Sequence, residues 1–157
     1  LTSIDSVRLD SSKVYKTLVK GRTVYGGGGI MPDVFVPLDT TRYTKYFTAL
    51  RRLNTMNTAV LQYVDGRRDE LKRTYRKFAR FIESYEVPGE LIDKVIAEAR
   101  EKNVVPKDSA ELDATLPDLR FTLKALVAYD VWDRSEYFQI INTRSDIVAA
   151  ALRELEK

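Results

Sequence analysis

This sequence offers neither a thiol nor an imidazole for catalysis, because its 157 residues include no cysteine and no histidine. A serine hydroxyl becomes an effective nucleophile only beside a base, which here would have to be a lysine or a carboxylate. Ser12 precedes Lys13, but adjacent side chains of a strand point to opposite faces, and no Ser-x-x-Lys spacing occurs in the chain. We therefore predict that the chain contains no catalytic residue.

The run Gly26-Gly27-Gly28-Gly29 is the feature closest to a phosphate-binding loop. A Walker-type loop, however, requires Gly-Lys followed by Ser or Thr at the start of a helix. Here Ile, Met, Pro and Asp follow the glycines and lead into an apolar run. We therefore expect a backbone that passes close to another segment or adopts positive φ. Without cysteine and histidine the common zinc sites are also excluded, so the sequence predicts neither a cofactor nor a metal.

A basic stretch at residues 67–80 carries seven basic and two acidic side chains. On one continuous helix, Arg68, Lys72, Arg76 and Arg80 would form a cationic ridge that could follow phosphates or another anionic surface. Ion pairing with acidic residues elsewhere, or simple exposure to solvent, is the alternative interpretation. Residues 88–157 supply an excess of acidic over basic groups, fourteen against ten, so they could be the partner of the basic region.

The elements that would position these groups begin with short strands. β-branched and aromatic residues favour strands at residues 14–18 and 22–25, and Lys20-Gly21 suits the turn between them. After the glycines, Val34-Phe35-Val36 predicts a third strand. So small a sheet is not stable alone, so we expect it to need the helices or a sheet elsewhere.

After Pro37 the apolar period changes from two to about 3.6, which is typical of helices. Asp39 or Thr40 is expected to cap a first helix that continues to Tyr63 with a break near Asn54. Each predicted helix has one apolar stripe, so we expect the helices to bury these stripes in a bundle. A further helix is predicted from Leu71 to Tyr85, and another at 91–99, which Asn103 would end. Asp108 and Glu111 are expected to cap the start of the next helix, and Pro117 to begin another that continues to Trp132. The last two helices are predicted at 137–141 and at 147–155.

The most specific motif of the chain comprises Tyr15-Lys16-Thr17 and the run from Gly21 to Val36, Gly-Arg-Thr-Val-Tyr-Gly-Gly-Gly-Gly-Ile-Met-Pro-Asp-Val-Phe-Val. This motif resembles the segment that closes the catalytic domain of the C-terminal processing (tail-specific) peptidases of the bacterial envelope. The similarity continues through Asp39-Thr40-Thr41 and Tyr63-x-Asp65, and more weakly through the helical tail to Leu155.

The resemblance implies a parent endopeptidase with a Ser/Lys dyad, often beside a PDZ module that recognises C-terminal tails. Those parts precede the glycine segment in the family, so neither catalytic residue can be assigned here. The resemblance also implies a periplasmic location in the cell envelope. Its implied partners are the upstream peptidase core of the same protein, the protein or peptide substrates of the parent enzyme, and a further copy in a homo-oligomer. Leu1 is not a usual natural start, which suggests a fragment of a longer protein.

These observations predict a mainly α fold, in which a short β-hairpin/strand segment precedes a bundle of about five to seven helices. Residues 1–38 are expected to be the last strands of the peptidase core, and residues 39–157 a non-catalytic helical domain that supports assembly, substrate access or stability. The alternative is a free-standing helical adaptor that binds an acidic or nucleic-acid partner through the Arg68–Arg80 ridge. The interpretation as part of a peptidase predicts no nucleic-acid partner. No apolar run approaches the ~20 residues of a membrane helix, so no membrane-spanning segment is predicted.

Overall fold

The structure is a computed structural model that describes residues 14–26, 34–39 and 41–156. In these residues a two-stranded antiparallel hairpin precedes eight α-helices, which confirms the predicted mainly α fold with a hairpin followed by a helical bundle. The pair Ser12-Lys13 and the glycines from Gly27 to Gly29 lie outside the described residues.

The hairpin consists of β1 (Val14–Lys16) and β2 (Thr23–Tyr25), with Tyr15 opposite Val24. Gly21 has a φ of 60°, a left-handed conformation that glycine adopts without strain, and its amide donates to the Thr17 carbonyl at 3.0 Å. The predicted hairpin is therefore confirmed, but β1 ends at Lys16 and β2 begins at Thr23, so the connection is longer than the tight turn predicted at Lys20-Gly21. The predicted strand at residues 34–36 is wrong, because residues 34–39 form no ladder with β1 or β2 and have no regular secondary structure.

The first predicted helix is two helices, α1 (Lys45–Arg52) and α2 (Thr55–Asp65), separated where the break was expected. Asn54 lies between them with a φ of 57°, which interrupts the helical path. The predicted cap at Asp39 or Thr40 is wrong. Thr44 caps α1 because its backbone is extended and its hydroxyl accepts from the Phe47 amide at 3.0 Å.

The helix predicted from Leu71 to Tyr85 is also divided, into α3 (Arg68–Thr74) and α4 (Phe78–Ser84). Tyr75 ends α3 with a φ of −112° and a ψ of 63°. This break changes which side chains face the core, so that Phe81 is completely buried while Ile82, expected on the apolar stripe, is 42% exposed.

Two longer helices follow, α5 (Gly89–Glu101) and α6 (Ser109–Val131). Asn103 adopts the expected left-handed conformation after α5, with a φ of 59°. Asp108 caps α6 as predicted, because its carboxylate accepts from the Glu111 amide at 2.8 Å. The helix start predicted at Pro117 is wrong, since Pro117 lies inside α6. Asp113, whose carbonyl loses its helical donor at this proline, is exposed, so water can hydrate that group.

The chain continues with α7 (Arg134–Ile141), a 3₁₀ turn (Asn142–Arg144) and α8 (Asp146–Leu155). Residues 41–145 form one compact unit, and the described residues 14–26 and 34–39 belong with α8 to a second one. Within the larger unit, α6 packs against α1, α2, α3 and α7, and α5 packs against α2. Its largest fully buried side chains include Phe47, Leu50, Val60, Val64, Phe81, Leu91, Val95, Leu119, Leu123, Val127 and Val131.

A helix that could cross a membrane does not occur in residues 14–26, 34–39 or 41–156, because none there is both long and apolar enough. This agrees with the sequence prediction for the part of the chain that is described. The domain boundary predicted after residue 38 stays a prediction.

Candidate functional site

The predicted cationic ridge does not lie on one continuous helix. Arg68 and Lys72 lie on α3, Arg76 lies in the break, and Arg80 lies on α4. Side chains four residues apart are stacked along one face only while the helix continues. The division of the helix therefore removes the geometry on which the ridge depended.

Two basic residues at the start of this region have structural contacts. Arg68 donates to the Asp130 backbone carbonyl of α6 and forms an ion pair with Asp65 at 3.6 Å. Arg67 forms an ion pair with Glu90 at 3.2 Å, and its guanidinium lies 4.7 Å from the centroid of the Tyr63 ring. These contacts connect α3 to α2, α5 and α6, so part of the basic stretch holds the bundle together.

The Asp130 side chain lies within electrostatic range of Arg68 and Asp65. Burial raises the pKa of the Asp130 carboxyl above its ordinary value, while the Arg68 cation acts in the opposite direction and the Asp65 charge adds to the rise. Asp130 lies at the end of α6, and its backbone carbonyl, rather than its carboxyl, accepts the hydrogen bond from Arg68 that helps to position α3.

Nucleic acid is expected to bind this chain only weakly. The remaining cations of residues 67–80 would gain affinity for nucleic acid mainly by releasing counterions from its phosphates, without specific contacts to the bases. The affinity should therefore fall steeply as the salt concentration increases. Fluorescence anisotropy with labelled DNA and RNA at ~0.15 M salt tests this expectation. Tight binding that is lost on substituting Arg76 and Arg80 together would contradict it and favour an adaptor that recognises nucleic acid.

Aromatic residues from α4 and from the ends of α3, α4 and α6 form a packing cluster around Phe81. Its ring centroid lies 4.4 Å from Tyr85, 5.0 Å from Trp132 and 5.4 Å from Tyr75. Lys124 closes the cluster, because its ammonium donates to the carbonyls of Ile82 and Tyr85 at 2.7 and 2.9 Å. Burial lowers the pKa of Lys124, with the Glu86 charge acting against this change. This lysine therefore supplies hydrogen-bond donors to backbone carbonyls at the end of α4.

Several helices line a polar cleft of about 260 Å³, which lies between α1 with the residues just before it, the middle of α6 and the end of α7. We call it the arginine cleft, because Arg42, Arg51 and Arg144 line it together with a single carboxylate, Asp118. The other lining side chains are mainly aromatic or aliphatic, and they are Tyr43, Phe47, Phe121, Thr122, Tyr137, Ile141 and Ser145. The arrangement can bind an anionic group beside an apolar one.

Sequence reasoning did not find this cleft. Arg42 and Arg144 meet through a hydrogen bond of 3.0 Å from a guanidinium nitrogen to a backbone carbonyl, although they are 102 residues apart. The local signal is only that Arg42 precedes a short helix with aromatic residues and that Arg51 lies in its last turn. A group of three or more acidic side chains that could hold a metal ion does not occur within the described ranges.

The structure thus defines a helical-bundle protein whose polar cleft is built from arginine and aromatic residues. The chain belongs to a family of unknown function, DUF8443, whose model matches residues 46–133. This match extends from the beginning of α1 to just beyond α6, and therefore covers the centre of the bundle. No curated protein matches the chain, and no solved structure matches it. The peptidase-like motif at residues 15–36 lies outside the matched region.

Proposed function

We propose that this chain is the non-catalytic C-terminal region of a serine endopeptidase of the C-terminal processing type. In this proposal the hairpin completes a sheet of the peptidase core. The helical bundle is an accessory module that supports assembly, substrate access or stability of the parent enzyme, in the periplasm.

The apolar character of both faces of the hairpin is the observation that supports the proposal. Tyr15 pairs with Val24 on one face, and Val14 pairs with Tyr25 on the other. All four side chains are exposed, between 37% and 59%. Strands with apolar residues on both faces are typical of sheets that are covered on both sides. A larger sheet that receives this hairpin would bury these residues, and the peptidase-like motif lies in the same segment.

The larger unit supports the accessory role because its core is built from its own helices. The buried aromatic and aliphatic residues of α1 to α7 contact one another within residues 41–145. A self-contained bundle can be attached to an enzyme without supplying a catalytic group. The coding sequence upstream of the hairpin tests the proposal directly, because it should encode a Ser/Lys peptidase core; an unrelated upstream region would contradict it.

A substitution in the hairpin can distinguish a role in the peptidase sheet of the parent enzyme from a role in the stability of the helical bundle. In the parent enzyme, Val24→Asp should strongly reduce peptidase activity, because it would bury an unpaired carboxylate in the completed sheet. In the 157-residue chain the same substitution should change the free energy of unfolding of the bundle by less than about 0.5 kcal/mol. The measurements are peptide hydrolysis by the parent and urea denaturation of the chain.

Leu18→Asp is the matched control for this experiment. Leu18 lies in the turn of the same hairpin and is fully exposed, so its substitution should leave the activity of the parent unchanged. Full activity of the Val24→Asp parent enzyme would show that β2 is not part of the peptidase sheet.

A further inference from the structure

The arginine cleft contains one complete arginine–carboxylate–aromatic arrangement. Arg144 lies over the Phe121 ring, with its guanidinium carbon 3.9 Å from the ring centroid. The same guanidinium forms an ion pair with Asp118 at 3.2 Å. Stacking uses the face of the guanidinium and leaves the N–H donors at its edge available for a carboxylate. Both interactions are therefore satisfied at once.

A second arrangement in the same cleft has the cations and the ring, but no carboxylate among the described residues pairs with these cations. The Tyr43 ring has Arg42 at 5.6 Å and Arg51 at 5.8 Å from its centroid. Neither arginine forms an ion pair with a residue in the described part of the chain. One N–H of Arg42 is used by the Arg144 carbonyl, which fixes the position of that side chain.

The charge of the cleft indicates what would complete this second arrangement. Its lining residues carry three cations and one carboxylate. Two guanidinium groups beside one ring repel each other, and an added carboxylate would reduce this repulsion and accept their free N–H donors. The partly buried side chains of Phe121 and Ile141 lie in the same cleft and can contact an apolar group beside that carboxylate.

We propose that the arginine cleft binds an acidic peptide segment, in which a carboxylate side chain lies next to an aromatic or aliphatic one. The carboxylate accepts from Arg51 and from the remaining donors of Arg42, and the neighbouring apolar side chain packs against Phe121 and Ile141. A carboxylate with an apolar neighbour is favoured over a free phosphate, because Phe121 and Ile141 line the cleft beside the arginines and a free phosphate has no apolar group to pack against them. This inference uses residues 41–145 alone and does not depend on the proposed peptidase parent.

Peptide binding to the full chain tests the proposal. The probe is the capped peptide acetyl-Gly-Glu-Phe-Glu-Leu-Gly-amide, titrated into isotopically labelled protein while the amide signals of Thr122 and Ile141 are followed by NMR. Its counterpart with Gln in place of Glu measures the contribution of the carboxylates. Affinity for the acidic peptide should decrease as salt is raised, because the attraction between exposed charges is screened.

Arg51→Gln is the decisive variant, and Arg52→Gln is its matched control. Both arginines are exposed and lie in the last turn of α1, but only Arg51 lines the cleft. Loss of one charge-assisted hydrogen bond should raise the Kd about tenfold in Arg51→Gln. The Kd of Arg52→Gln should stay within about twofold of the original value, since surface charges outside the contact have small effects. Arg51→Lys retains the charge without the planar donors, so its Kd should be intermediate.

Several outcomes would overturn the proposal. These are the absence of binding up to about 5 mM peptide, equal affinity for the Gln peptide, or equal losses in Arg51→Gln and Arg52→Gln. Tighter, Arg51-dependent binding of inorganic phosphate would assign the cleft to a phosphate ligand instead. Similarly, a Gln peptide that binds only when its C-terminus is free would assign it to peptide ends. The proposal therefore requires binding that depends both on the carboxylates of the peptide and on Arg51.

Discussion

Replacing Phe81 by alanine is expected to lower the free energy of unfolding of the bundle by about 3–5 kcal/mol. Phe81 is fully buried and lies in the centre of an aromatic cluster. Its ring stacks on Tyr85 at 4.4 Å and meets Trp132 edge-on at 5.0 Å. Truncation would remove both contacts and leave a cavity that the surrounding rings cannot fill without moving.

Ile82→Ala provides the matched control, because Ile82 is the next residue of α4 and is 42% exposed. Urea denaturation followed by circular dichroism should show a change for Ile82→Ala well below that for Phe81→Ala. Similar losses for the two variants would mean that α4 faces the core with a different side, and would contradict the described position of the aromatic cluster.

Replacing Glu111 by alanine is expected to cost about 2–3 kcal/mol, a large effect for a half-buried side chain. One carboxylate oxygen accepts from the Tyr46 amide at 3.1 Å, and the other accepts from the Lys107 amide at 2.7 Å. The first bond joins the beginnings of α1 and α6. It places the negative charge of Glu111, a residue of the first turn of α6, beside the first turn of α1. Its loss would leave the Tyr46 amide without this acceptor.

Glu111→Gln and Asp113→Ala distinguish this role from a general effect of charge. The glutamine retains one acceptor oxygen, so it should recover part of the loss measured for Glu111→Ala in the same denaturation experiment. Asp113 is an exposed acidic residue on the same helix, and its substitution should change stability by less than about 0.5 kcal/mol. An equal effect at Asp113 would refute a specific role for Glu111.

Features determined by a few adjacent residues could be predicted from the sequence. Asn54 and Asn103 interrupt or end helices because asparagine tolerates a left-handed backbone, and both have φ near 60°. Asp108 and Glu111 have the spacing of a capping box, and the cap forms as expected. Gly21 allows the hairpin turn for a similar local reason. In each case the necessary information lies within one or two turns of chain.

Features that depend on distant residues could not be predicted in this way. The apolar period alone does not show that the chain breaks at Tyr75 and rotates Phe81 into the core. Proline usually marks a helix start, but the cap at Asp108 and the core contacts of α6 carry the helix past Pro117. The arginine cleft joins side chains from α1 and from the turn after α7, so no local pattern identifies it.

The position of α6 in the chain has a consequence for synthesis on the ribosome. α1, α2 and α3 all pack against α6, yet they leave the ribosome before it does. Their apolar faces therefore have no complete core to enter until residue 131 has emerged, and chaperones can bind them during that interval. Nascent chains halted before residue 109 should be cut rapidly by protease, whereas chains with all of α6 outside the tunnel should resist cleavage. Resistance to protease in chains halted before residue 109 would show that α1 to α5 fold without α6.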